Sequence, residues 1–349
     1  MKEKLEKLFT MLGEMLKERR AGAGGKMLLS ICLVIFFVGS FPAVEYFKGI
    51  VDTQNLEAAF SRDGSSYKRI SVFFSRKSEM DRSGIMQLRN KLTEQLSNSP
   101  SLELEEKKNI FWDAYEGTEQ IEVSYQNHFQ QANALFVGGH YFEFHNMSFL
   151  SGGKFSEEDL VRDKAVISEE LSFALFGSGN SVGKTIWIQE KGILICGVVK
   201  EKKDWVSKLA DTDIKKIYLP YEQAEQLGLQ LPLTSYEILL PEPLEGFARK
   251  TVEDVLSVNS YEREASMQEK EISILEETTR FCPMKLLQTG WKFHERTMKK
   301  VPIAFPDWEN KRIIVENQLL FLYMIRILIL IWLIWNLFLY LWRKQKGKK

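Results

Sequence analysis

Histidine, cysteine and net charge are what this 349-residue sequence has least of. Of its four histidines, the nearest pair sits in "HYFEFH" (His140, His145). That spacing puts them on opposite faces of a strand and out of register on a helix, so they do not converge on a metal. Three cysteines make no disulfide framework. Cys32 lies in an apolar run, and Cys196 and Cys282 either pair or serve as small buried hydrophobes. No Gly-x-Ser-x-Gly elbow or His-Glu-x-x-His pair is present, and acidic clusters such as "SEED" and "SEE" stand where helix starts favour them. These absences argue against an enzyme, a metal centre and a bound cofactor. "NMS" at Asn146 is a glycosylation sequon that chance explains as well. No repeat period and no low-complexity segment is visible.

Lys+Arg and Asp+Glu both total 47, so charge informs only by its position. Residues 1–26 carry a net of +3, and "RKQKGKK" (343–349) adds five positives. The stretch 27–342 is left with 35 basic and 43 acidic side chains, a net of −8. An acidic middle argues against nucleic acid.

Two apolar runs separate the basic ends from that middle. "MLLSICLVIFFVGSFPAV" (27–44) has eighteen residues without a charge, about the minimum for a spanning helix. "LLFLYMIRILILIWLIWNLFLYLW" (319–342) is long enough to span with tilt, and its Tyr340 and Trp342 suit a headgroup boundary. Basic flanks prefer the cytoplasm. The expectation is a two-pass plasma-membrane protein with both termini inside. It divides into an amphipathic cytoplasmic segment (1–26), a first span (27–47), an extracytoplasmic domain (48–316), a second span (317–342) and a basic tail (343–349). A leader cleaved after Ser40 in "VGS" is the rival for the first run. Arg326 interrupts the second run, either snorkelling towards the nearer surface or meeting another subunit's helix. Leu5, Leu8, Phe9, Leu12, Met15 and Leu16 share one helical face, for the inner membrane surface or a cytoplasmic partner. "AGAGG" (21–25) should break that helix before the span.

Between the spans, "KRISVFF" (68–74), "EQIEVSYQ" (119–126) and "NALFVGG" (133–139) read as strands, and 83–98 as an amphipathic helix. Gly152-Gly153 supply a turn with positive φ, and Ser156 caps a short helix carrying Glu157, Glu158 and Asp159. "KAVI" is a strand. Ser168 caps a helix with Leu171, Ala174 and Leu175 inward and Gly177 as its stop. "TIWIQEKGILICGVV" is a hairpin turning near Lys191-Gly192, its second arm buried on both faces. Strands at "KIYLP" and "SYEILLP" and a helix over 245–258 follow. "SMQEKEISILEETTRF" (266–281) reads as helix, and "NKRIIVENQLL" leads as a helix into the second span, with Pro306 and Trp308 near the outer headgroups.

Gly183-Lys184-Thr185 ends as a phosphate-binding loop does. However, Ser178 holds the place of the first glycine, and the motif follows a helix and precedes a strand, the reverse of what a P-loop needs.

From about Ala134 to Glu201 an ordered set of positions resembles the MacB-like periplasmic core domain of ABC transporter permeases. Phe142, Phe149, Leu150, Gly153, Phe155 and Asp159 match its first part. Val166, Ile167, Ser168, Leu171, Leu175, Phe176 and Gly177 match the second. Val182, Gly183, Lys184, Thr185 and Ile186 match the third, and Ile195, Gly197, Val198 and Val199 the closing strand. Lys154 replaces the usual arginine. The resemblance implies an α+β extracytoplasmic domain of mixed sheets and helices, in which Gly-Lys-Thr is a structural turn. It implies a non-catalytic permease-like subunit working in export or mechanotransmission, beside an ABC ATPase and a further permease subunit, with an oligomer left open. Typical members have three spans after this domain, whereas this sequence has one. The alternative is a stand-alone membrane-anchored sensor or binding protein.

Overall fold

The computed structural model describes residues 23–51, 66–75, 78, 80–100, 102, 111–210, 214–256, 271–289 and 303–346. The proposed amphipathic helix over 2–20, His294 and the basic tail from residue 347 lie outside them. The chain forms two units, Met1–Gly49 with Gln318–Lys349, and Ile50–Asn317.

The larger unit is built on one ten-stranded sheet. Its strands are β1 (Tyr67–Phe74), β2 (Trp112–Tyr125), β3 (His128–Gly139), β4 (Ser148–Gly152), β5 (Lys164–Ser168), β6 (Thr185–Ile188), β7 (Lys191–Lys200), β8 (Lys216–Pro220), β9 (Ser235–Pro241) and β10 (Ile272–Glu276). They lie in the order β10-β1-β9-β2-β3-β8-β5-β7-β4, with β6 pairing β2 and β7. The β3–β8 and β5–β7 pairs are parallel and the others antiparallel, so the sheet is mixed.

Strand alternation gives this sheet two different faces. In β1, Ile70, Val72 and Phe74 point to an apolar side. There they meet Ile85, Leu88, Leu92 and Leu96 of α2 (Arg82–Ser97) and Ala248, Val252 and Val255 of α7 (Phe247–Val255). Leu171 and Leu175 of α4 (Glu169–Phe176) join the same core. The intervening residues Arg69, Ser71 and Phe73 face the other way. α2 and α4 begin at side-chain caps: Asp81 accepts from the Gly84 amide at 2.9 Å, and Ser168 from Leu171 at 3.3 Å. Gly177 ends α4 in the left-handed conformation, φ +67. The other short helices are α3 (Tyr141–Phe144), α5 (Trp205–Leu209), α6 (Glu222–Gln226) and α8 (Pro283–Thr289).

Several expectations need correction. Residues 272–276 of the anticipated helix form β10 instead: Ile272 and Ile274 are β-branched, and β1 offers an edge to pair with. Of the two arrangements weighed for "HYFEFH", the structure has the helical one, with α3 over Tyr141–Phe144. Ser156 starts no helix. Its hydroxyl accepts from the Glu158 amide in a turn (3.2 Å), because the Glu157 carboxylate is drawn away to Arg89. Of Gly152 and Gly153 only the first has positive φ, +68. The β6–β7 hairpin turns at Gln189-Glu190, with Gln189 at φ +53, and Leu194 on its second arm is exposed. Cys196 and Cys282 are free thiols, and Cys282 is exposed rather than buried.

The smaller unit holds α1 (Ala23–Ile50) and, from Gln318 onward, α9 (Asp307–Lys346). Within them Leu28–Ile50 and Asp307–Leu339 are long and apolar enough to cross a membrane. Gly24 and Gly25 do not break α1. Their helical penalty of about 1 kcal/mol each is small beside the apolar run that follows.

Candidate functional site

A charge inside an apolar strand must find a partner, because burying it alone is prohibitive. Three strands place such charges on the same side of the sheet. Ser71 of β1 stands opposite Glu237 of β9, Glu237 opposite Ala114 of β2, and Glu116 opposite Ser235. Arg69, one step along β1 from that row, reaches Glu237 Oε1 with Nη2 at 2.6 Å and the Phe144 carbonyl at 3.2 Å. His145 Nε2 lies 2.7 Å from Glu237 Oε2. Burial works against the Glu237 charge, but Arg69, His145 and Arg312 outweigh it and hold that carboxyl well below the usual range. Burial lowers the His145 pKa against the pull of Glu237, with Arg69 and Arg312 adding to the lowering.

The first turns of α9 supply the rest. Glu309, Arg312 and Glu316 are spaced three and four residues apart, which puts them on one helix face. Arg280, just after β10, grips Glu309 with both terminal nitrogens (2.6 and 2.7 Å), Glu316 at 2.9 Å and Glu277 at 3.2 Å. Arg312 lies 3.3 Å from Glu277 and 3.9 Å from Glu237, and stacks on Trp308. Three arginines thus meet four glutamates, all buried. Burial also opposes the Glu277 charge, and Arg312, Arg280 and Arg69 bring its pKa below the ordinary value.

Glu116 stands at the margin of this cluster with no arginine. Its oxygens accept from Tyr141 (2.7 Å), Trp308 Nε1 (3.0 Å) and Ser235 (3.2 Å), all neutral donors. Burial dominates and pushes its pKa up to about 7, with Glu237 adding to the shift against those hydrogen bonds. Trp308, expected near headgroups, therefore spends its indole N–H on a carboxylate of the domain.

Beside Glu116 opens a pocket of about 220 Å³. Tyr141, Phe144, Tyr218, Phe305 and Trp308 give it aromatic walls, and four lysines, Lys200, Lys202, Lys216 and Lys311, line it. Lys216 is buried between Asp307 (3.1 Å) and Glu201 (3.5 Å). Burial disfavours its charge, yet the two carboxylates raise its pKa and keep it protonated.

The positions singled out in the sequence lie apart from this cluster, in two groups. Gly153, Phe155 and Gly197 gather where β4 meets β7. The Gly153 amide donates to Cys196 O at 3.0 Å, and a side chain at Gly197 would meet Gly153 O at 2.4 Å. Phe155 packs edge-on against Phe142. Phe176, Gly177, Gly183 and Lys184 form the other group. Gly183 has φ +83 and its amide donates to Ile195 O at 2.8 Å, while Lys184 Nζ sits 4.5 Å from the Phe176 ring centre. Gly-Lys-Thr is thus a turn into β6, its lysine occupied by an aromatic face. Asp159 pairs with Lys164 at 2.9 Å on the surface. In the smaller unit, Arg326 Nε donates to Ser40 of α1 at 2.6 Å, with its guanidinium over Phe41. Arg326 is therefore buried against the chain's own first helix.

The ionic cluster was missed in the sequence, though β9 carried a signal, since Glu237 stands inside the otherwise apolar run "YEILL". Arg69 follows Lys68, and Glu116 shares β2 with Asp113, Glu119 and Glu122, so neither stood out.

The family model of the MacB-like periplasmic core domain matches residues 67–243, just over half of the 349-residue chain. This chain belongs to that family. The matched region runs from β1 through β9 and contains Arg69, Glu116, His145 and Glu237; Glu277, Arg280 and the α9 residues lie beyond it. The cluster therefore joins the family core to later sequence. Among solved structures, similarity is found to the extracellular domain of the noncanonic ABC-type transporter YknZ from Gram-positive bacteria. It has 13% identity, 59% of this chain and 99% of that one covered, and a TM-score of 0.38. The periplasmic region of MacB from Actinobacillus actinomycetemcomitans gives 15%, 66%, 94% and 0.43. A domain of a putative permease protein from Porphyromonas gingivalis gives 16%, 60%, 89% and 0.33. No curated protein matches the chain. Family membership rests on the sequence match.

Proposed function

We propose that this chain is a non-catalytic membrane subunit of an ABC-type transporter, its core domain held outside the membrane by two spans. The supporting observation is the core-domain match over residues 67–243, flanked in sequence by two helices apolar enough to cross a bilayer. On this reading residues 27–47 and 317–342 are the spans, 48–316 is extracytoplasmic, and both basic ends are cytoplasmic. The domain transmits force or handles export substrate outside the bilayer, while ATP is hydrolysed by a partner. Gly197 keeps the β4–β7 junction in shape, and Gly183 the β6 turn. Arg326 fixes how the second span meets its neighbours.

Mild-detergent affinity purification from native membranes, followed by mass spectrometry, tests the assignment. An ABC ATPase and a larger permease at comparable abundance are expected. Recovery of the chain alone, or with extracellular partners only, would overturn it in favour of a membrane-anchored binding protein.

A further inference from the structure

The pocket beside Glu116 has a charge imbalance that the ionic cluster does not resolve. Arg312 also lines it, but its charge is taken up by Glu277 and Glu237. The two lining carboxylates, Glu201 and Asp307, are both engaged by Lys216. Lys311 and Lys200 make no ion pair among the described residues. Lys311 stands one helical turn after Asp307 and is half-buried, so its charge is partly shielded from water. A concave site with an excess of one sign of charge concentrates counter-ions of the other. At about 220 Å³ the pocket is below the roughly 300–1,000 Å³ usual for drug-sized ligands, which suits a headgroup or a small anion.

Lys200, Lys216 and Lys311 come from three separate segments. A tetrahedral phosphate, which presents oxygens in several directions, suits cations arriving from separate sides better than a planar carboxylate. Apolar residues stand beside the cations: Phe305, Met147, and Ile50 and Val51. In sequence, Ile50 and Val51 follow the first apolar run (27–44) by six and seven residues, and Asp307 and Lys311 precede the second (319–342) by twelve and eight.

From these observations we infer that the pocket binds a phosphate-bearing ligand, supplied by a membrane lipid headgroup or by phosphate free in solution. Lys311 is the principal contact, Lys200 guards the rim, and Lys216 is held charged behind them by Glu201 and Asp307. This inference does not depend on the presence of an ATPase partner.

Isothermal titration tests it on the full chain in phosphate-free detergent. Three ligands are compared: dihexanoylphosphatidylglycerol, inorganic phosphate and dihexanoylglycerol, which lacks phosphate. Saturable binding of the phospholipid is expected, weakened at least tenfold by Lys311→Gln and by the rim variant Lys200→Gln, and kept by Lys311→Arg. Dihexanoylglycerol should not bind. Binding of inorganic phosphate as well would assign the ligand to solution; phospholipid binding without it would assign the ligand to the membrane. No saturable binding of either phosphate compound overturns the inference. So does equal binding by dihexanoylglycerol, or unchanged affinity in Lys200→Gln and Lys311→Gln with their unfolding midpoints intact. An ATPase recovered without any phosphate binding would leave the transporter assignment standing and remove only this site.

Discussion

The two faces of one sheet are stabilised by different physics. On the helix side, Ile70, Val72 and Phe74 bury against α2 and α7, where Leu92 and Leu96 are almost fully enclosed. This is apolar area removed from water, non-directional and tolerant of conservative change. On the other side Arg69, Glu237, Arg280 and the first turns of α9 form a buried ionic cluster, in which each charge is acceptable only while its partners stay. The helix side therefore degrades by degrees, whereas the patch of the other face around β1, β2 and β9 fails when a single member is lost. Beyond that patch, Leu135, Val137, Val166 and Val199 make this face apolar too.

The sharpest way to break that contrast is Arg280→Ala, which leaves Glu277, Glu309 and Glu316 buried without their shared counter-charge. A loss of about 3–5 kcal/mol is expected, lowering the unfolding midpoint by roughly 10 °C. Arg280→Met should recover little of it. If methionine restores stability, packing rather than charge governs this face. On the helix side, Leu92→Ala should cost about 2–5 kcal/mol and Leu92→Met under about 1.5; calorimetry of both pairs of variants compares the faces directly.

Acidity separates groups within the polar face itself. The Glu116 pKa lies above its ordinary value, so its protonated form suits the fold. That contribution is complete below pH 4.5 and is lost as the pH rises through about 7, a change of about 3 kcal/mol. Glu237 is shifted the other way. Its contribution is present above pH 4.5 and is lost as the pH falls through its depressed pKa. Unfolding midpoints of wild type and Glu116→Gln at pH 5 and pH 8 check this. The variant should lose a large part of the neutral-pH destabilisation, and an unchanged pH slope would show that Glu116 is ionised throughout.

The smallest effects concern the adjacent glycines. Gly152→Ala forces a side chain into φ +68 and within 2.1 Å of Cys196 O, and should cost about 2–3 kcal/mol. Gly153→Ala meets nothing within 4 Å and should fall within about 0.5 kcal/mol of wild type by the same measurement.

What could be read in advance was local. Ser168, Gly177 and the apolar period of α2 each signal their element through neighbouring residues. The ordered motif from Phe142 to Val199 identified the family fold. Decisions made by distant sequence were not legible. β10 is a strand because β1, some two hundred residues earlier, has an unpaired edge. Glu157 looks like a helix-start acid, yet Arg89 on α2 holds it in two contacts of 3.1 Å. The β2–β3 hairpin turns at Gln126, φ +52, without a glycine to announce it. The ionic cluster needed the register of β1, β2 and β9 before its members could be seen to meet.

That register has a consequence for folding. β1 pairs with β9 and β10, each more than 150 residues away in sequence, so the chain must find these partners late and over long loops. A slip of one residue would turn every side chain of β1 to the opposite face. Arg69 would then be thrust among Leu88 and Leu92, and Ile70 among the glutamates. A purely apolar strand could settle into such an error. Here the misaligned state is electrostatically prohibited, so the buried charges act as a proofreading step in the assembly of the sheet.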